Sequence, residues 1–155
     1  MTFQYADAYP PYGPIVAQDE GISFFTLRNV ASGGHFSMPG SKHLMPCRAG
    51  RNIAAVFEQD QEPLAEGESR CDSLMAVQED GVDAVGFRLG ANAAIDGLKN
   101  DGGGQYYLIC AGTITFDGKT LTRNSLIRMD PGDSPPKLKA VSYTHLRAHE
   151  TRHDL

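Results

Sequence analysis

Apolar residues in this chain recur in short alternating runs broken every few positions by Gly, Pro, Asn or Asp, and no long stretch carries the spacing of an amphipathic helix. That pattern predicts an all-β protein. Strands are expected over residues 22–28, 52–58, 71–77, 82–89, 105–116, 119–122 and 125–129, with turn-rich connections at Ser32-Gly-Gly34, Met38-Pro-Gly40 and Asp101-Gly-Gly-Gly104. The sharpest local signal is Asp117-Gly118 between Thr113-Ile-Thr-Phe116 and Lys119-Thr-Leu-Thr122, the dipeptide favoured where a two-residue hairpin turn needs positive φ. Many short strands with turns between them point to two packed sheets, a sandwich or jelly roll, rather than a layered α/β fold.

The ends of the chain read differently. Pro10, Pro11 and Pro14 stand among Tyr5, Tyr9 and Tyr12, a composition suited to a surface arm, so residues 1–20 are expected to be an arm and residues 21–140 a single β-domain. The last fifteen residues, Val141-Ser-Tyr-Thr-His-Leu-Arg-Ala-His-Glu150 and Thr151-Arg-His-Asp-Leu155, resemble one reading frame of a transposase-type DNA-sequencing adapter. They are therefore expected to be foreign to the gene product, which would be cut short near Ala140. On that reading residues 141–155 have no specific packing role, and any strand or helix they form is opportunistic. Their polar sequence also lacks the alternation of a closing strand, so the neighbouring strand is expected to be left as an unpaired edge, prone to homodimer formation by edge-to-edge pairing.

Setting the tail aside alters the chemistry more than the charge. His145, His149 and His153 go with it, leaving His35 and His43, while Arg147 and Arg152 balance Glu150 and Asp154 and the net charge of −5 is unchanged. A mild acidic excess with no basic stripe argues against a nucleic-acid partner. No run of about 20 apolar residues is present for a membrane helix, and the start has no charged-then-apolar leader, so no membrane partner and a cytoplasmic location are expected. Cys47, Cys71 and Cys110 are odd in number and widely spaced, which suits free packing thiols in a reducing compartment. A faint echo between Gly21-Ile22 and Gly81-Val82, each leading to an apolar-Arg pair, reads as a coincidence of strand composition.

Residues 104–136, Gly-Gln-Tyr-Tyr-Leu-Ile-Cys-Ala-Gly-Thr-Ile-Thr-Phe-Asp-Gly and onward to Asp130-Pro-Gly-Asp-Ser-Pro-Pro136, resemble the central hairpin of a cupin. Gln105 and Gly112 fall on the carboxylate and glycine that close the family's first motif. Asn124, Asp130, Gly132 and Pro135 fall on the four fixed places of its second, with only Gly132 retained. Residues 13–15 and 24–28 resemble N-terminal arms of cupin-like proteins more weakly. The resemblance implies an all-β, cupin-like double-sheet jelly roll or β-barrel of the RmlC-like kind, incomplete at its C-terminus.

Departures from that pattern shape the functional expectation. Metal-dependent cupins hold an ion with a His-x-His pair, the carboxylate and a later His. Here residues 98–105 carry no imidazole, Gln105 is a neutral amide, Asp101 stands alone and Pro135 cannot ligate. No metal and no cofactor are therefore expected in the barrel. His35, His43 and Cys47 have spacings too loose for a zinc site, Ser41 and Ser73 lack a nucleophile elbow, and Gly102-Gly-Gly104 is followed by no helix start that would cradle phosphate. If Gln105 points inward, the two-residue period turns Tyr107 and Ile109 inward too, and Tyr106, Leu108 and Cys110 outward. Gln105, Tyr107 and Ile109 are thus the candidate lining of a pocket for a small polar ligand, unless the amide and phenol satisfy each other in a closed core. The reading leans to a non-catalytic binding or assembly role, the alternative being a cupin enzyme of dioxygenase or sugar isomerase and epimerase type.

Overall fold

A computed structural model describes residues 1–8, 10–29, 36–45, 50–58 and 62–150. Eleven strands and one short 3-10 turn make up their regular structure: β1 (Thr2–Ala6), the turn Lys42–Leu44, β2 (Asn52–Val56), β3 (Ser69–Met75), β4 (Ala84–Leu89), β5 (Ala94–Asp96), β6 (Gln105–Ala111), β7 (Thr113–Phe116), β8 (Lys119–Thr122), β9 (Leu126–Met129), β10 (Lys137–Ala140) and β11 (Thr144–Glu150). All named pairings are antiparallel, in three sheets ordered β1-β2, β5-β10-β7-β8 and β3-β4-β11-β6-β9. The molecule is all-β and its two larger sheets face each other across one core, as a double-sheet jelly roll requires.

Alternation along the strands builds that core. Phe87 and Leu89 of β4, Tyr107 and Ile109 of β6, Ile127 of β9 and Leu146 and Ala148 of β11 meet Ile114 of β7 and Leu138 and Ala140 of β10 in a single buried cluster. The other face of the five-stranded sheet is covered by β1 and β2, where Phe3 packs with Met75, Val82 and Ala84, flanked by Tyr5, Ile53 and Ala55. The result is three layers: a thin outer ribbon, a central sheet whose strands β4 and β6 are buried on both faces, and the four-stranded sheet.

Local turn chemistry worked as the residues imply. Asp117 and Gly118 sit at φ +48° and +70°, the two positive values a type I′ hairpin needs. Residues 105–116, expected as one strand, are instead broken at Gly112, at φ +81°, so that β6 and β7 belong to different sheets. Asn124, where the resemblance places a glycine, has φ +69°; Asn is among the side chains that tolerate this left-handed conformation best.

Several expectations need correction. Residues 22–28 have strand composition but form no strand, and Ile22, Phe24 and Phe25 lie exposed. Within the expected arm, residues 2–6 are a strand, paired from Thr2 with Val56 to Ala6 with Asn52, so the prolines begin only after the ribbon is made. Cys110 is buried but Cys71 is exposed on β3, while Cys47 and His35 lie outside the described residues, as does the Ser32-Gly-Gly34 turn.

The largest correction concerns residues 141–150. These residues form β11, the middle strand of the five-stranded sheet, paired with β4 on one side and β6 on the other, so the expected unpaired edge is not there. The exposed edges of that sheet are β3 and β9 instead. Only two core side chains, Leu146 and Ala148, are needed to fill the inward face, with Thr144 buried at the end and bonded to the Thr113 backbone. Leu146 and Ala148 stand two positions apart, so the two-residue period sets both on that inward face.

Candidate functional site

The interior end of β6 carries the polar groups singled out by the sequence. Gln105, Tyr107 and Ile109 are fully buried and point between the two large sheets. Tyr106 turns to the other face, where its hydroxyl donates to the Arg28 carbonyl (3.0 Å) and accepts from Arg128 Nη1 (2.8 Å).

Gln105 and Tyr107 are engaged with each other and with the chain that crosses above them. The Tyr107 hydroxyl donates to Gln105 Oε1 at 2.6 Å and accepts from the Leu98 N–H at 2.8 Å. The Gln105 amide donates through Nε2 to the Lys99 carbonyl at 2.8 Å. Next to it Asn100, also buried, donates through Nδ2 to the Asp130 carbonyl (2.5 Å) and so ties the same segment to the turn after β9. Residues 98–100 are thereby clasped down over the barrel interior by three side chains. A neutral amide and a phenol suit this place, since each needs a partner when buried but neither carries a charge to desolvate.

The residues that the resemblance sets beside Gln105 are directed elsewhere. Asp101 is exposed and pairs with Lys99 at 2.5 Å on the surface. Pro135 is exposed, and it is Pro136, one place on, that is buried. His43 lies exposed in the 3-10 turn. Among the described residues no three His, Cys, Asp or Glu side chains gather closely enough to share a metal ion.

A second polar cluster, missed in the sequence, lies at the outer ribbon. Arg51, just before β2, donates to Asp7 through Nη2 at 2.8 Å and through Nε at 3.1 Å, to both oxygens of Asp80 at 2.8 and 2.6 Å, and to the Tyr5 hydroxyl at 3.0 Å. Asp80 belongs to the tight turn between β3 and β4, in which Gly81 N–H reaches the Gln78 carbonyl (2.9 Å). Hydrogen bonding to Arg51 holds both Asp7 and Asp80 well below the usual carboxylate range. Burial, with its bond to Asp7 adding to it, pushes the Tyr5 phenol up to about 12. These side chains come from three separate chain segments, so no spacing in the sequence could have signalled them. The cluster fastens the ribbon to the central sheet and holds no reactive group free for a substrate.

A shallow surface hollow of about 310 Å³ is lined by Glu62, Pro63, Leu64, Glu68, Arg70 and Arg88. Its two arginines face each other across β3 and β4 but are answered by Glu68 (3.4 Å) and Asp72 (3.0 Å), leaving no unbalanced charge to attract an anion.

No protein-family model matches the chain, and no curated protein matches it. Among solved structures it is similar to the cupin domain of an XRE-family transcriptional regulator from Enterobacter cloacae, at 16% identity over 56% of this chain and 97% of that one, with a TM-score of 0.44. It is also similar to a cupin-superfamily protein from Desulfitobacterium hafniense, at 18% identity over 64% of this chain and 96% of the other, with a TM-score of 0.45. A conserved protein of unknown function from Streptococcus pyogenes aligns over 86% of this chain and the whole of its own, at 18% identity and a TM-score of 0.44. No helix among the described residues is long and apolar enough to cross a membrane.

Proposed function

We propose that this protein is a metal-free, cupin-like module that binds or assembles and does not transform a substrate. The observation that carries the reading is the state of Gln105. At the place where the cupin resemblance puts a metal-binding carboxylate stands an amide whose oxygen is taken by Tyr107 and whose nitrogen is taken by the Lys99 carbonyl. Amide nitrogen does not ligate divalent first-row ions, and an amide oxygen already accepting a short hydrogen bond is a weak donor to them. Asp101, the nearest carboxylate in sequence, faces solvent beside Lys99.

The same groups define what an interior ligand would have to be. A small neutral polar molecule would replace residues 98–99 as the partner of Tyr107 and Gln105, donating to one oxygen and accepting from one N–H. It would need neither a metal nor a general base. Elemental analysis of the purified protein, together with native mass spectrometry for a co-purifying small molecule, tests the reading. Metal well below one equivalent is the expected result. Near-stoichiometric iron, manganese or zinc that disappears in Gln105→Ala or Asp101→Ala would overturn it in favour of a cupin enzyme, and metal lost instead on replacing His35, His43 or Cys47 would move the site out of the barrel.

A further inference from the structure

Between β5 and β6 the chain crosses the end of the barrel as a strap without regular structure, residues 97–104, Gly-Leu-Lys-Asn-Asp-Gly-Gly-Gly. At its first residue the Gly97 N–H donates to the Pro136 carbonyl, just before β10, at 2.8 Å. Beyond that point, among the described residues, residues 98–103 are tied to the barrel only through side chains. The Tyr107 hydroxyl accepts from the Leu98 N–H, Gln105 Nε2 donates to the Lys99 carbonyl, and Asn100 Nδ2 donates to the Asp130 carbonyl. Lys99 and Asp101 pair with each other within the strap, and Leu98 is its one apolar side chain, half-buried against the core.

Lifting the strap therefore exchanges three hydrogen bonds for bonds to water and uncovers one leucine, whereas freeing β6 breaks its ladders with β9 and β11 and the buried cluster around them. Net hydrogen-bond free energies are small and burial adds with area, so the first event lies well below the second. The closed strap also leaves Asn100 Oδ1 buried with no hydrogen-bond partner among the described residues, a cost that opening removes.

Both ends suit such a movement. Gly102, Gly103 and Gly104 give three consecutive positions free to take either sign of φ, and Gly104 stands at +104°. At the other end a Cβ on Gly97 would fall 2.5 Å from the Tyr107 hydroxyl and 2.6 Å from the Pro136 ring, so the strap lies flat on Tyr107 only because residue 97 has no side chain.

We propose that residues 97–104 are a lid, which lifts off Gln105 and Tyr107 while both large sheets stay folded. Those two side chains are wholly buried beneath it. On the reading of this interior as a ligand site, on which the purpose of the lid rests, its opening is the way in.

Hydrogen exchange of the full chain, followed by NMR in rising urea below the unfolding transition, tests the motion. The probes are the Leu98 N–H, the Gln105 side-chain amide and, as a reference inside β6, the Ile109 N–H, which donates to the Ser125 carbonyl at 3.0 Å. After correction for intrinsic rates, the first two should be at least about a hundredfold less protected than Ile109 and nearly insensitive to urea. Equal protection and equal urea dependence at all three would mean that the strap opens only when the barrel unfolds, and overturns the lid. Fast exchange at Leu98 alone, with Gln105 as protected as Ile109, overturns it too, because the interior is then never uncovered. Gly97→Ala, whose Cβ props the strap away from Tyr107, should speed exchange at Leu98 and Gln105 about tenfold or more relative to Ile109; an unchanged ratio overturns the seating of the strap on Tyr107. Should that variant not fold, Tyr107→Phe, which keeps the ring and removes the acceptor of the Leu98 N–H, is read in the same way. Metal analysis decides the ligand reading and exchange decides the lid, so each can fail alone.

Discussion

The Gln105–Tyr107 clasp and the Arg51–Asp7–Asp80 clamp each fasten one piece of chain across another by side-chain hydrogen bonds, but they sit in opposite surroundings. The clasp is neutral and fully enclosed between the two large sheets. The clamp is ionic and keeps 19 to 27% of each charged side chain exposed. Burial depth decides which chemistry each can use: an enclosed charge must recover its lost hydration, whereas an enclosed amide and phenol need only each other and two backbone groups. The clasp should therefore act as part of the core, indifferent to pH and salt, and the clamp as a titratable fastening of the outer ribbon alone.

The largest effect that would test this contrast is Tyr107→Ala, which opens a cavity and abandons the Leu98 N–H and Gln105 together. A loss of about 3–5 kcal/mol is expected in urea denaturation. Tyr107→Phe keeps the volume and removes only the hydroxyl, for a loss of about 1–3 kcal/mol. Adding Gln105→Leu to it should cost less than the two single changes together, since a partner already lost cannot be lost again. Strict additivity would show that the two side chains do not act as a pair.

Arg51→Met should cost about 1–2 kcal/mol, less than a fully buried pair because water still reaches the carboxylates. Its signature is local. Amide exchange should accelerate over residues 2–6 and 52–56 while residues 105–111 keep their protection; uniform acceleration would mean that the ribbon and the core unfold as one unit.

Acid and alkali should separate the two clusters without mutation. Asp7 and Asp80 have carboxyl pKa values depressed by Arg51 in the folded protein, so their stabilisation is present above the ordinary carboxylate pKa of about 4 and is lost as pH falls through the lowered values. Tyr5 is shifted the other way, to about 12; its contribution is complete below its unfolded pKa of about 10 and disappears as pH rises through that interval. Stability of the unaltered protein should fall at both extremes, and in Arg51→Met the acid limb should flatten. An unchanged acid limb in that variant would assign the loss to other carboxylates. The smallest effect serves as a control: Lys99→Ala removes an exposed ion pair with Asp101 just outside the clasp and should stay within about 0.5 kcal/mol.

Strand positions that carry their own turn chemistry were legible in the sequence. β8, β9 and the Asp117-Gly118 hairpin follow from alternation and from residues that tolerate positive φ, the span of β6 and β7 was read as one strand without its break at Gly112, and the inward direction of Gln105, Tyr107 and Ile109 follows from the two-residue period once one of them is placed. Short or partly polar strands were not. β5 offers three residues, too few for a period to register, and β10, though as long as β8 and β9, pairs with neither of the strands next to it in sequence; each is completed by hydrogen bonds from other strands of the four-stranded sheet. Residues 22–28 show the converse, a good strand composition that forms no strand.

By itself, then, the sequence determined the all-β class, the Asp117-Gly118 hairpin and the shared inward direction of Gln105, Tyr107 and Ile109, because these depend on local backbone preference and on which side chains alternate. Tertiary structure alone decided that Gln105 and Tyr107 spend their hydrogen bonds on each other and on residues 98–99, that Arg51 gathers carboxylates from two distant segments, and that residues 144–150 form the middle of a sheet. The last two are pairings between parts of the chain far apart in sequence, and the first, though local, depends on how residues 98–100 cross over β6; a pairing energy has no meaning until both partners have been brought together.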